Sequence, residues 1–453
     1  MKRIHIISIG GAVMHNIAIQ LARQGYQVSG SDDILFDPSL SRLREAGLMP
    51  EKTGWDPDRI TKDLDFVIAG MHAKADNPEL RKAQELGLTV HSFPSYVRSR
   101  AEGQKRIVVA GSHGKTTTAS MVVYMMQQLG ECTDHLIGAK MEGLDDIVTF
   151  EGCPYFVLEG DEYPSSAIDP RPKFLHYDPD YLILTGIAWD HMNIFPTYEI
   201  YFKAFVSLLE SLRPECMIIY NGYDREVVRL IAMFDFKNAV PYYMLEFEVK
   251  NGVFVVEDHH PMRVIGRHNM ENLTGAVTMC EKIGLEHDKL LDVAETFSGA
   301  SRRLELLLET DRGNAYLDFA HAPSKVRASV QAVNDLHPDR PLVAVLELHT
   351  YSSLNKDFLP EYKNSLDLAD QAIVMFDPAI IANKHMDALH IKDVRHAFGR
   401  KDILVIHEKG QLVKILEDVL NDYTYVSVDV LLMSSGSFGG VDIKKKLEDL
   451  WDL

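Results

Sequence analysis

Ala110-Gly111-Ser112-His113-Gly114-Lys115-Thr116-Thr117-Thr118 sets two glycines, a lysine and three threonines between an apolar run and a helical pattern. These residue types in this order suit a polyphosphate. Gly111 and Gly114 let backbone N–H groups approach phosphate oxygens, with Ser112 and His113 between them. Lys115 would neutralise β/γ charge, and the Thr116 hydroxyl, with Thr117 behind it, would sit on Mg2+. The spacing departs from the common G-x-x-x-x-G-K-[ST], because Val109 stands five residues before Gly114. A loop lysine facing phosphate contributes little packing, so Lys115→Ala is expected to spare the fold. Glu159-Gly160-Asp161-Glu162 follows a second apolar run, and Asp190-His191 lies just past a third. Apolar strands would deliver these groups to one sheet edge, where a hard cation needs oxygen ligands. Thr116, Glu159 and His191 are therefore the metal candidates. Near the start, Gly10-Gly11 forms a turn and Asp32 closes the next strand about 20 residues on, a spacing that suits a ribose hydroxyl.

The elements that must carry these residues alternate. Apolar periodicity predicts strands at 4–9, 27–30, 66–69 and 88–91, with helices at 14–24 and 78–86. A second unit has strands at 106–110, 155–158, 181–185 and 217–220, helices at 116–129, 199–212, 269–283 and 288–297, and a hairpin at 249–257. A third has strands at 315–319, 342–346, 371–375, 403–406 and 430–434 and helices at 323–336 and 409–420. Strand alternating with helix means parallel, doubly wound sheets. The fold class is α/β with three domains, 1–104, 105–299 and 300–453, a division consistent with 453 residues.

Composition narrows the partners. Lys and Arg total 47 against 66 Asp and Glu, a net charge of −19, which argues against a nucleic-acid binder. Cys132, Cys153, Cys216 and Cys280 are scattered without a C-x-x-C pair and read as reduced thiols, not as a zinc site or a disulfide framework. No apolar run approaches the ~18 residues of a spanning helix. A cytoplasmic protein is expected, with no membrane, nucleic-acid or protein partner implied.

Five ordered motifs resemble the Mur ligase family over essentially the whole chain. Ser8-Ile9-Gly10-Gly11 to Ser29-Gly30-Ser31-Asp32 is similar to the UDP-binding start of the muramate-binding branch, and Gly111 to Thr118 to the ATP loop. Gly266-Arg267-His268-Asn269-Met270-Glu271-Asn272 resembles the G-x-H-N-x-x-N segment. Arg302-Arg303-Leu304-Glu305 and Leu317-Asp318-Phe319-Ala320-His321 resemble the opening of the C-terminal domain and its D-[YF]-[AG]-H strand. Glu162-Tyr163 through Lys173-Phe174-Leu175-His176-Tyr177 looks like the extended loop of the tripeptide-adding branch. Met433-Ser434-Ser435-Gly436-Ser437-Phe438-Gly439-Gly440 resembles that branch's M-S-N-G-G-F-G-G.

The resemblance implies a Rossmann-like UDP-binding domain, a central ATPase-like domain with a phosphate loop, and a Rossmann-like C-terminal domain. It implies ATP-dependent joining of UDP-N-acetylmuramate to the tripeptide L-alanyl-γ-D-glutamyl-meso-diaminopimelate through an acyl phosphate, with Mg2+. Lys115, Glu159, His191 and Arg303 would be catalytic. Asn272 would touch adenine, Arg303 the phosphates and Asp318 the nucleoside. Gly10, Gly11, Ser31 and Asp32 would hold the UDP portion, and His349, standing at an arginine position, the peptide. Lys203 is the only lysine on the helix where some members carry a carbamylated one. Several positions depart from the family: Ser8 replaces a glycine, Gly186 an asparagine, Ala188 a glutamate, Ala322 a second histidine, and Leu348-His349-Thr350-Tyr351 a Pro-Arg-Ser-Asn run. Loss of the arginine fork leaves either another residue, such as Lys356, or a different third residue to complete the peptide site. Competing possibilities are a ligase adding free L-alanine, a silent binder of the UDP-sugar, and a nicotinamide-dependent oxidoreductase, which leaves the phosphate loop unexplained.

Overall fold

The computed structural model describes every residue except His72, Asp190, His191, Asn193, Lys409, Thr424, Tyr425, Asp452 and Leu453. Its contacts divide the chain into two compact units. One comprises Met1–Ile187, Phe202–Tyr242 and Thr278–Gly284, the other Ala188–Tyr201, Tyr243–Val277 and Leu285–Leu453.

The first unit holds two main sheets. The N-terminal sheet orders its strands Gln27–Ser31, Arg3–Ile7, Phe66–Ala69 and Val90–Ser92, all parallel. The strand Arg3–Ile7 is buried from Ile4 onward, as a strand covered on both faces must be. The helix Pro78–Glu85 starts where Asn77 accepts from the Glu79 and Leu80 N–H groups and Pro78 presets the first turn. Its Leu80 and Ala83 pack with Ile7, Val67 and Ala69 in one apolar cluster.

The second sheet has six parallel strands, in the order Ala239–Tyr242, Met217–Asn221, Tyr181–Leu184, Lys105–Ala110, Tyr155–Gly160 and Thr133–Leu136. Lys105–Ala110 lies between the strands that end at Leu184 and Gly160, and Ala110 pairs with both of those residues. The edge strands Thr133–Leu136 and Ala239–Tyr242 were not among the predicted elements, because the first is mostly polar and the second carries Pro241. The segment after Glu162 also has structure: strands Pro164–Ser166 and Asp169–Pro172 form a hairpin, and a 3-10 turn at Lys173–His176 comes directly after it.

One expectation about the cysteines fails. Cys132 and Cys153 form a disulfide, while Cys216 and Cys280 are free and buried. Their residues lie 21 apart in sequence, too far for a spacing motif, yet they precede Thr133 and Tyr155, which are paired on adjacent strands.

The second unit holds an antiparallel sheet of Phe247–Lys250, Val253–Val256 and His260–Met262, one strand more than the predicted hairpin. Its large sheet runs Glu305–Thr310, Gly313–Asp318, Asp429–Met433, Leu342–Leu348, Gln371–Phe376 and Leu404–Ile406. Only the first pair in this sheet is antiparallel. Val343, Val345, Ile373, Val430 and Leu432 are buried under the helices Gln411–Asn421 and Ile443–Leu450. Among the described residues, no helix is long and apolar enough to cross a membrane.

Gly313 opens the strand that ends at Asp318, at φ +134°, and a Cβ there would run into the Val428 backbone. Gly313→Ala should therefore destabilise the second unit by about 3 kcal/mol or more, through strain plus backbone displacement. Urea unfolding monitored by circular dichroism is the check, and a midpoint equal to wild type would contradict the close approach.

Candidate active site

Strand Lys105–Ala110 ends directly before Gly111, and helix Lys115–Gln128 begins directly after Gly114. Both glycines have positive φ, +138° and +76°. Gly111 also passes against the Thr185 side chain and the Gly186 backbone, leaving no room for a Cβ. The Ser112 N–H donates to the Gly186 carbonyl at 2.8 Å, and the Thr185 hydroxyl donates to the His113 carbonyl. The neighbouring strand end thus holds the loop in shape. Thr117 lies in the first turn of the helix and is buried.

Lys115 Nζ donates to the Gly111 carbonyl at 2.6 Å and to Glu162 Oε2 at 3.0 Å. Burial alone would lower its pKa, but the carboxylates of Glu162, Asp161 and Glu159 outweigh that and raise it. The Thr116 hydroxyl donates to Glu159 Oε1 at 2.8 Å, and the Gly138 N–H donates to Oε2 at 2.6 Å. Thr116 and Glu159 thus present hard oxygen donors side by side at the edge of a parallel sheet, an arrangement that fits Mg2+. The third metal candidate, His191, and its neighbour Asp190 lie outside the described residues.

Glu162 is the functional residue that sequence reasoning left without a role. It has no exposed surface, and its partner is the phosphate-loop lysine. The signal was the third carboxylate of Glu159-Gly160-Asp161-Glu162, three residues past the metal candidate. Asp161 accepts instead from Lys173 Nζ at 3.0 Å, which ties the hairpin segment back to the sheet edge. Gly186 lies beside Asp224. A Cβ at Gly186 would stand 2.9 Å from Asp224 Oδ2, which already accepts from the Ile187 N–H at 3.1 Å.

In the N-terminal sheet, the Gly10 N–H donates to Asp32 Oδ2 at 2.7 Å and the Asp33 N–H to Oδ1 at 3.0 Å. The Gly11 N–H donates to the Ser8 carbonyl at 3.2 Å, and Ser8 adopts φ +64°, the left-handed conformation natural to the glycine it replaces. Gly10, Gly11 and Asp32 therefore share one turn. Ser31 is fully buried, and its hydroxyl donates to Glu79, itself buried beside His5.

The second unit carries the remaining candidates. Asn272 Nδ2 donates to Asn269 Oδ1 at 3.2 Å within the helix Arg267–Lys282, and Asn269 Nδ2 in turn donates to the Ile265 carbonyl at 2.8 Å. Asp318 ends its strand, accepting from the Ser329 hydroxyl and from the Leu304 N–H at 3.3 Å. The Arg303 guanidinium lies over the Phe319 ring, 4.6 Å from its centroid. Arg302 donates to the carbonyls of Ser434 and Gly436, joining the arginine pair to the 433–440 segment. Ala322 directly precedes the helix Pro323–Leu336 and makes no side-chain cap, while Pro323 presets the first turn. His349 comes directly after strand Leu342–Leu348, with Nδ1 3.9 Å from Glu347 Oε1. Lys356 pairs with Asp393 at 3.2 Å.

A phosphate loop with an adjacent carboxylate and hydroxyl, at the edge of a parallel α/β sheet, fits an enzyme that uses a nucleoside triphosphate. Residues 3–104 match the model described as "Mur ligase family, catalytic domain", and residues 109–280 match "Mur ligase middle domain". The UDP-N-acetylmuramate–L-alanyl-γ-D-glutamyl-meso-2,6-diaminoheptandioate ligase of Haemophilus influenzae is 26% identical, over 98% of each chain. The UDP-N-acetylmuramate–L-alanine ligase of a Sulfurihydrogenibium strain is 30% identical, over 83% of this chain and 82% of its own. The crystal structure of the Thermotoga maritima UDP-N-acetylmuramate–alanine ligase superposes with TM-score 0.73 at 20% identity, covering 100% of this chain and 99% of that one. The chain belongs to the Mur ligase family and has its three-domain α/β fold.

The buried ion pair changes what Lys115→Ala should do. The substitution would leave the fully buried Glu162 carboxylate without this cation. A loss of about 3–5 kcal/mol of stability should accompany the loss of turnover, contrary to what a loop lysine suggests. The double variant Lys115→Met/Glu162→Gln should regain most of the thermal stability while remaining inactive. Equal melting temperatures for Lys115→Ala and wild type would show that the ion pair is not formed.

A pH dependence is expected from Asp32, whose carboxyl is pushed up to about 6, chiefly by burial. The folded state therefore holds this proton more tightly than the unfolded chain. The resulting stability is complete below the usual carboxylate range and is lost as pH rises through about 6. Asp32→Asn, neutral at every pH, should melt above wild type at neutral pH and lose that advantage near pH 4. A pH-independent difference in melting temperature would reject the shift.

Proposed function

We propose that this ligase joins UDP-N-acetylmuramate to a short peptide beginning with L-alanine, with L-alanyl-γ-D-glutamyl-meso-diaminopimelate as the reference donor, in cytoplasmic recycling of cell-wall peptides. The observation that carries this reading is the 162–177 segment. It resembles the extended loop of the tripeptide-adding branch, and here it is a hairpin anchored by Lys173 on Asp161. The match over 98% of both chains to a tripeptide ligase supports it.

The reaction is dictated by the chemistry of the groups. A lactyl carboxylate is a poor electrophile, so its oxygen takes the γ-phosphoryl group of ATP and ADP leaves. The peptide amine then attacks the acyl carbon, and phosphate departs from the tetrahedral intermediate. Lys115, released from Glu162 by the arriving phosphate, would neutralise charge on the transferring group. Ser112, His113 and Thr117 would line the phosphate cradle between Gly111 and Gly114. Thr116 would hold one Mg2+ and Glu159 with His191 a second, and the ions would screen the phosphate charge when bound. Asn272 would contact adenine, Arg303 the phosphates and Asp318 the nucleoside. Gly10, Gly11 and Asp32 would bind the UDP portion. We place the domain boundaries at 104 and 299, with the phosphate loop in the central domain and Arg303 and Asp318 in the C-terminal one.

Addition of free L-alanine is the second reading, favoured by the L-alanine ligase at 30% identity. Steady-state phosphate release with free L-alanine, L-Ala-γ-D-Glu, and tripeptides ending in diaminopimelate or lysine separates the two. A peptide should show the highest kcat/KM, by tenfold or more. Preference for free L-alanine over every peptide would reassign the enzyme.

A further inference from the structure

The peptide end of the proposed reaction carries carboxylates and needs a cation, and Lys356 is already paired with Asp393. The sheet supplies another. Strands Leu342–Leu348 and Gln371–Phe376 are parallel neighbours, and their last residues, Leu348 and Phe376, pair directly. The first strand leads into His349, Thr350 and Tyr351, with Thr350 capping a short helix that begins at Tyr351. The second leads into Asp377, which caps the helix Pro378–Asn383, and then Lys384. The two segments meet: Lys384 Nζ lies 4.1 Å from the centroid of the Tyr351 ring.

Three features set Lys384 apart from an ordinary surface lysine. It stands on a chain of net charge −19, where carboxylates are abundant, yet among the described residues none pairs with it. It is half-buried, and burial lowers its pKa with no anion to offset the cost. Its companion Tyr351 is 44% exposed, so the aromatic face holds the ammonium without covering the site. Such a cation is fixed in direction and under-compensated, the state that favours an incoming anion. His349 adds a ring nitrogen, Nδ1, that is buried without a hydrogen-bond partner. The same sheet edge bears Glu347, whose Oε2 is already committed to the Ser434 hydroxyl and the Phe438 N–H.

We propose that Lys384, held over Tyr351 at the carboxyl edge of the C-terminal sheet, is the specificity-determining cation that binds a carboxylate of the amine donor. This rests on the reading of the enzyme as a peptide-adding ligase. Lysine here does by point charge what the fork of an arginine does elsewhere, so its contact is less directional and more tolerant of the donor's third residue.

The test compares the tripeptide L-Ala-γ-D-Glu-diaminopimelate with its carboxamide analogues in wild type, Lys384→Ala, Lys384→Glu and Lys384→Arg. In wild type, amidating the recognised carboxylate should raise KM about tenfold. Lys384→Ala should raise KM for the free acid by a similar factor and abolish the acid–amide difference. KM for ATP and kcat at saturating peptide should stay within twofold. Lys384→Glu should be worse than Lys384→Ala, and Lys384→Arg should recover the acid preference. Retention of the wild-type acid–amide ratio in Lys384→Ala, with peptide ligation intact, would overturn this assignment alone. A wild-type enzyme that ligates L-alanine and no peptide would overturn the proposed function and this inference with it.

Discussion

Everything at the phosphate site depends on the register of one buried strand. Lys105–Ala110 is paired on both sides, so Ala110 is level with Gly160 and with Leu184. In a parallel sheet all the chains then leave from the same edge. The phosphate loop, the carboxylates of Glu159, Asp161 and Glu162, and the Thr185-Gly186 turn arrive together because they lie at the ends of three adjacent strands. A slip of one residue would turn each side chain to the other face of its strand and dismantle the Lys115–Glu162 and Thr116–Glu159 contacts together.

The buried pair at this edge also balances a charge problem. A lysine at the phosphate loop would be costly to bury alone. Glu162 offsets that cost and keeps Lys115 protonated, while Asp161 is neutralised by Lys173 from the hairpin. The acidic turn is therefore divided in labour: one carboxylate faces the Thr116 hydroxyl, one holds the lysine, and one anchors the hairpin segment. Beside the same edge, Asp224 serves at once as a helix cap and as acceptor for the Ile187 N–H.

The C-terminal sheet repeats the principle with different chemistry. Leu348 and Phe376 pair, so the segments beyond them converge in an aromatic–lysine contact. Asp318 and Ser434 likewise end neighbouring strands, and the Ser434 N–H donates to the Asp318 carbonyl at 2.9 Å. The arginine pair is tied to the same edge through Arg302.

Residue order alone determined the α/β class, the long central strands and the phosphate loop, because these are local: apolar runs, glycines and a helix start within ten residues of one another. The same holds for the Asn77-Pro78 helix start and for the Gly10-Gly11 turn. What the sequence left open is what depends on partners far along the chain. The disulfide joins residues that only strand pairing makes adjacent. Glu162 acquires its role from a lysine 47 positions away, and Ser31 turns from an expected ligand contact into a buried donor because Glu79 lies beneath it. Lys384 meets Tyr351 only because two parallel strands end level. Short edge strands escaped notice for the same reason, since their stability comes from a neighbour's hydrogen bonds and not from their own pattern. Local chemistry is written in consecutive residues; electrostatic pairing is decided by which strand ends the tertiary fold sets side by side.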